Sequence, residues 1–397
     1  MRIGFCGNVN NYPFMVARAM RRLGHECLFI VDSCARLHRP EYRYEDISIP
    51  YPSWIHDVSP LRELDCLFPT PKRINVVRLL RSCDAIILNG LGPSLSIHVN
   101  RPAIVLLTGS DLDYYANLKT VTDLVKAVHK SPVFLRRVIL KWLAFKLVLL
   151  QRGGIRSALA VSYFAPGLNP DGDLLLDELG LENSKRLFIL MTDTEKIQRQ
   201  PLPHNCPARI FCAARLTWKK PMAMGTCELD YKGSDIMVHG LGAFIRRTGI
   251  PLDIRLVRKG LHVAETRRLV EEEGLAKYVT WLEEMSQLEV LAEYKQADIV
   301  FDQLGQSMVA MAGLDAMAMG RPVIANGRPE IIGRVVGVPS PICQAGNPEE
   351  VCAQLERLEP HPVERECAAA ASRQYVESYF SADHAAQLCL ERLSKSL

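Results

Sequence analysis

Asp315 stands in the stretch MAGLDAMAMGRPVIANG, Met311 to Gly327, as the one carboxylate in a run of small and apolar residues. Aspartate is a mediocre helix former because its short side chain competes for backbone hydrogen bonds, so an interior position suggests that it faces something other than packed core. Just upstream, Ser307 is placed to cap a helix running from about Met308 to Met319. Ala310, Ala312 and Gly313 are small enough to let a ligand approach its first turns. Phosphate oxygens suit such a helix start, where N–H groups and the helix dipole both favour negative charge. Other chemistries lack their residues. Gly4 and Gly7 have the wrong spacing for a dinucleotide fingerprint, although Asp32 does follow the second apolar run. Walker A, H-E-x-x-H and G-x-S-x-G patterns are absent. The twelve cysteines include no C-x-x-C pair and no Cys/His cluster at zinc spacing, which reads as scattered, reduced thiols in a cytosol. The sequence requires no metal.

The elements that must position these residues follow from length and periodicity. A chain of 397 residues, 48% hydrophobic, exceeds the size at which one core stops growing, so two domains are expected. Its 48 cations against 44 anions leave a net charge of +4, too even a balance to call for nucleic acid, and small molecules are the expected ligands. The N-terminus carries too short an apolar stretch for a signal peptide, and no run of eighteen uncharged apolar residues occurs, so a protein neither secreted nor membrane-spanning is expected.

RIGFC, NYPFMVARAMRRLG and ECLFIVD open the chain as strand, helix and strand. CDAIILNG, PAIVLLTGSD and RLFILMTD then end in residues suited to binding loops of a parallel sheet. The prolines of EKIQRQPLPHNCPAR interrupt this pattern. Beyond them, from IFCAA onward, helix and strand patterns alternate again. The expected organisation is a Rossmann-like domain over 1–198, a linker at 199–207 and a second doubly wound α/β domain over 208–378. A helix in 379–397 is expected across the seam. RPEYRYEDISIPYPSW, 39–54, reads as a loop, either bordering a cleft or plainly on the surface.

Four segments of the second half, in order, carry a resemblance: AARLTWKK, YKGSDIMVHGLGAF, LAEYKQADIVFDQ and GLDAMAMGRPVIA. Together they resemble the nucleotide-binding half of a GT-B glycosyltransferase, specifically family 4 of the retaining, nucleotide-sugar-dependent enzymes. The resemblance spans about residues 208 to 330, while the first half supports it through its layout and LGHECLFI. It implies two Rossmann-like domains facing a central cleft, with the acceptor on the first and the donor on the second.

A nucleoside diphosphate leaving group gains negative charge as the sugar bond breaks, and fixed cations must answer it. The resemblance gives that role to Arg215 and Lys232. In the family these two stand closer together; here KPMAMGTCELD intervenes, and Lys219 or Lys220 could substitute. Asp315 matches the second glutamate of the family, which holds the ribose hydroxyls. Ser307 stands eight positions earlier, where the family's other glutamate belongs, so the usual Glu-x7-Glu pair is Ser and Asp. Either Asp302 and Gln303 of FDQLGQS contact the donor instead, or the fold has been kept without turnover. Gly7 and Asn8, in GNVNN, match the glycine-containing loop that faces the donor phosphates, and Met308 joins the donor residues at the helix start. In LLTGSDLDYY the family often has a histidine; here Asp111 either sits at the cleft mouth as a catalytic acid, with Asp302 near the sugar, or caps the next helix.

Residues 124–170 hold eight cations and no Asp or Glu. VFLRRVILKWLAFKLVLL could lie on an anionic membrane surface, although its cations do not gather on one face and a buried helix with snorkelling ends fits as well. The expected function is metal-independent transfer of a sugar, with retention, from a nucleotide-diphosphate sugar to a glycan, lipid or small-molecule acceptor. It is expected in the cytoplasm, with peripheral contact at the inner face of an anionic membrane, and without cofactor or nucleic acid. The alternatives are a sugar-nucleotide epimerase on the same fold and a nucleotide-binding protein without turnover.

Overall fold

Short apolar runs with both faces covered become parallel strands, because helices must bury each side of such a sheet. In the computed structural model, which describes residues 1–117, 126, 128, 130–219, 230–305 and 308–395, they form two sheets. Strands β1 (Arg2–Cys6), β2 (Glu26–Val31), β3 (Ile55–Asp57), β4 (Ala85–Leu88), β5 (Ala103–Leu106), β6 (Ala160–Tyr163) and β7 (Arg186–Phe188) make the first. Their order is β3-β2-β1-β4-β5-β6-β7. All its pairings are parallel, and Ile3 of β1 sits between Cys27 and Ala85 in register.

The second sheet contains β8 (Arg209–Cys212), β9 (Asp253–Val257), β10 (Val279–Leu282), β11 (Ile299–Phe301), β12 (Val323–Ala325) and β13 (Cys343–Gln344). Its order is β10-β9-β8-β11-β12-β13, again wholly parallel. In both sheets the strand order reverses once, beside β1 and β4 in the first and beside β8 and β11 in the second. Neighbouring loops diverge at that point and leave a crevice at the carboxyl ends of the strands, where open α/β sheets bind ligands. Topology therefore nominates two loop clusters.

The chain divides into two units, Met1–Ile189 with Ala382–Leu397, and Leu190–Ser381. The helix Ala382–Ser394 packs on the helix Tyr12–Arg22, where Arg22 and Asp383 pair at 3.0 Å. Residues 199–207 are laced to the second unit: Arg321 donates to the carbonyls of Gln200 and Pro201, and Asn205 donates to Asp298. The loop 39–54 is knit around Arg39, which donates to Glu41, Tyr51 and Asp57. Among the described residues no helix is long and apolar enough to cross a membrane.

Candidate functional site

At the reversal point of the second sheet, the chain returning toward the helix Ser234–Thr248 lies against the loop that follows β11. Lys232 N donates to Thr217 O at 2.7 Å, and Leu304 N donates to Lys232 O at 3.0 Å. Such close contact needs a residue without a side chain: a Cβ on Gly305 would stand 2.1 Å from Tyr231 O. Gly305→Ala should therefore force these loops apart and cost about 1–3 kcal/mol of stability by overpacking. A fall in melting temperature checks this; an unchanged one would mean that the loops are not held in contact.

The expected cations sit on these loops. Lys232 is half-buried, and its charge acts on the buried carboxylate of Asp302. Arg215 is exposed and pairs with Asp230 at 3.4 Å. An exposed pair of this kind contributes little, so Arg215 can turn to a phosphate at small cost. Lys219 pairs with Glu265 at 3.7 Å. Lys220 and Ser307 lie outside the described residues.

Asp302 directly follows β11 and turns its carboxylate to the next helix start, accepting from Ala310 N at 2.8 Å. Burial pushes this carboxyl up, against the Ala310 hydrogen bond and the charge of Lys232. The helix runs Met311–Ala318, so it begins later than the expected Met308, and the Ala310 amide before it is held by Asp302. The next residue, Gln303, is buried with its side-chain oxygen lacking a hydrogen-bond partner among the described residues. Its backbone oxygen accepts from Asn326 N, and Asn326 Nδ2 donates to Gly305 O at 2.8 Å, so the ends of β11 and β12 are tied together.

Asp315 is buried and accepts a hydrogen bond from the Thr192 hydroxyl. Thr192 is itself held by the backbone of Phe380 and by a bridge to Ser381. Met308 turns to a small apolar cavity, which it lines with Leu314, Met317, Ile332 and Tyr375. The structure thus gathers Arg215, Lys232, Asp302 and Gln303 on the loops of β8 and β11. Asp315 lies more than a turn along the helix, and Met308 faces apolar side chains.

The first sheet builds its own cluster at its reversal point. Gly7, at φ +93°, lies where a Cβ would meet Asn89 O at 2.0 Å. The Asn8 side chain turns inward and donates to Asn11 Oδ1 and His38 O, while Val9 N donates to Asn89 Oδ1. The Asn8 side chain is thereby committed within the fold. Asp111 is fully buried, accepting from Asn89 Nδ2 at 2.9 Å, Thr108 N at 2.7 Å and Gly90 N at 3.3 Å. Burial pushes its carboxyl up to about 7, opposed by the Thr108 and Gly90 bonds. Gln151, on the helix Phe134–Ser157, donates to the carbonyls of Gly90 and Asp111.

Sequence reasoning did not single out Asn89, Thr192, Asn326 or Gln151. The first three were within reach, since each stands at or just past the end of an apolar run, where a parallel sheet exposes its loops. Gln151 carried no local signal.

Residues 219–359 match the family model described as Glycosyl transferases group 1. No curated protein matches the sequence. Among solved structures, HepE of Anabaena in complex with UDP is 16% identical with a TM-score of 0.61, over 100% of both chains. Sucrose-phosphate synthase of Thermosynechococcus elongatus is 15% identical with a TM-score of 0.58, over 100% of this chain and 98% of that one. The lipopolysaccharide outer core galactosyltransferase WaaB is 12% identical with a TM-score of 0.56, over 100% of both chains. At such identities the likeness is one of fold. The chain has the GT-B fold, with two parallel-sheet, Rossmann-like domains, and within its second half residues 219–359 are similar to the glycosyl transferases group 1 model.

Proposed function

We propose that the chain transfers a sugar from a nucleotide-diphosphate sugar to an acceptor, with retention at the anomeric carbon and without a metal. One observation carries the reading. At the reversal point of the second sheet, a half-buried lysine and a buried amide oxygen with no donor among the described residues sit on loops in contact, beside a helix start. Phosphate oxygens match Lys232, Arg215 and that helix start, while a sugar hydroxyl matches Gln303 Oε1. Negative charge developing on the leaving diphosphate is then met by groups already in place, which is where such a site gains rate. Asp302 acts as a positioning residue, holding the helix start through Ala310, and Asp111 does the same for the loops of β4 and β5. Uridine diphosphate sugars are the first donors to test, because HepE has been solved with UDP-glucose. The acceptor is a glycan, a lipid or a small molecule, and the reaction is assigned to the cytoplasm.

Asp315 is assigned to the ribose hydroxyls, with its carboxylate oriented by Thr192. Asp315→Ala should weaken donor binding by about 1.5–3 kcal/mol, the range for a hydrogen bond to a charged group. Titration calorimetry with UDP-sugars measures it, with Thr192→Val as control. If both variants lose stability alike and keep donor affinity, Asp315 serves only to hold residues 190–194, and the ribose assignment fails.

A further inference from the structure

The helix Phe134–Ser157 has two apolar sides, and the structure covers one of them. Leu143, Ala144, Leu147, Val148, Gln151 and Ile155 are buried. Phe134, Val138, Trp142, Phe145 and Leu149 follow one another at spacings of three and four residues, and all are exposed: Phe134 by 79%, Trp142 by 56%. At about 100° per residue these five fall within one arc on the side away from the core, with Leu135 at its edge. Single exposed apolar residues are ordinary; a continuous stripe of large ones along one helix marks an interaction surface. Lys141 and Lys146 border the arc on its two sides, and Lys146 Nζ lies 5.1 Å from the Trp142 ring centroid. No Asp or Glu occurs from 124 to 170.

We propose that this face docks on a lipid bilayer carrying anionic headgroups, with the helix lying in the interface plane. Charge selects this occupant. A second copy laid against the stripe would set Lys141 and Lys146 against the same cations, with no acid on either helix to answer them. An anionic bilayer offers apolar depth to the stripe and negative charge to both its borders, and tryptophan beside lysine suits that boundary. With its charges, the helix lies on the membrane and does not span it. Through Gln151 the same helix holds the carbonyls of Gly90 and Asp111, so docking fixes the strand-end loops of the first unit relative to the lipid. The docking stands whether or not the chain transfers sugar.

Flotation of the full chain tests it, with vesicles of phosphatidylcholine alone and of equal parts phosphatidylcholine and phosphatidylglycerol. The chain should float with the anionic vesicles at low salt, stay behind with the neutral ones, and leave the anionic ones as salt rises. Lys141→Glu with Lys146→Glu should lower the partition coefficient roughly 100-fold or more, since each reversal replaces an attraction by a repulsion. Trp142→Ser with Phe145→Ser should lower it comparably by removing buried apolar area. Lys141, Trp142 and Phe145 are exposed and Lys146 is half-buried with its ammonium over the Trp142 ring, so circular dichroism should show both variants folded. Failure of the wild-type chain to float at low salt overturns the proposal. So does flotation unaffected by the Trp142 and Phe145 pair, which would leave only diffuse charge attraction. A dimer that Trp142→Ser dissociates, with no vesicle binding, would assign the face to a second copy.

Discussion

Lys232→Met is expected to lower turnover at saturating donor by roughly 10²–10³-fold, the usual cost of removing one preorganised group that stabilises developing charge. Lys232 is held by its backbone, through bonds to Thr217 O and from Leu304 N, and methionine leaves both in place. The substitution removes the ammonium while keeping most of the apolar stem, so the loop contact should survive. Donor affinity should fall less than kcat, because the diphosphate carries more charge in the transition state than in the bound sugar nucleotide. Arg215→Ala should show the same pattern more weakly, since that guanidinium is exposed and paired with Asp230. Release of nucleoside diphosphate under saturating donor measures turnover, and calorimetry measures affinity. A folded Lys232→Met protein that keeps kcat within about threefold would mean that the leaving group is held elsewhere, and the proposed site would move to Arg215 and Lys219.

Asp111 should reveal itself through stability. Asp111→Ala leaves Asn89 Nδ2, Thr108 N and Gly90 N without their buried acceptor, at a cost of about 3 kcal/mol or more. Asp111→Asn should cost less and change the pH dependence. In the fold this carboxyl titrates near 7, above its value of 3.8 in the unfolded chain, because burial disfavours the charged form. The contribution of the neutral carboxyl is therefore complete below about pH 4 and is lost as pH rises through about 7. Asparagine cannot ionise. The stability of wild type relative to Asp111→Asn should decline by a few kcal/mol across that window, as followed by thermal unfolding. Other buried acids, Asp32 among them, cancel in the difference. A constant difference would mean that Asp111 is already ionised near pH 4. A large loss of kcat in Asp111→Asn with an unchanged melting curve would make it a catalytic residue rather than a positioning one.

Local pattern was enough for the elements that form this site. The run after Pro322 becomes β12, IFC lies in β8, and YKGSD opens the helix at Ser234, because hydrophobic period and turn chemistry act over a few residues. The glycine and asparagine ends of the apolar runs likewise marked where loops would cluster. The start of the helix holding Asp315 was misplaced, since its preceding amide is held by Asp302 across a loop. That bond spans eight residues through a loop and follows no helical or strand period.

The sequence by itself pointed to two parallel sheets and to most of their strands, since burial on both faces leaves a continuous apolar signature; Ile55–Asp57, Ala160–Tyr163 and Cys343–Gln344 are too short to show it and were not read as strands. Only the tertiary structure decided which strands are neighbours. With that pairing came the reversal points, the contact of the Lys232 and Gly305 loops, and the bond from Thr192 to Asp315 across 123 positions. The helix Phe134–Ser157 shows the limit most plainly. Its apolar residues lie all round the axis, so periodicity could not say which side was core. Packing against the first sheet's loops buried Leu147 and Gln151 and left Trp142 outside, a choice made by distant residues that no local pattern contains.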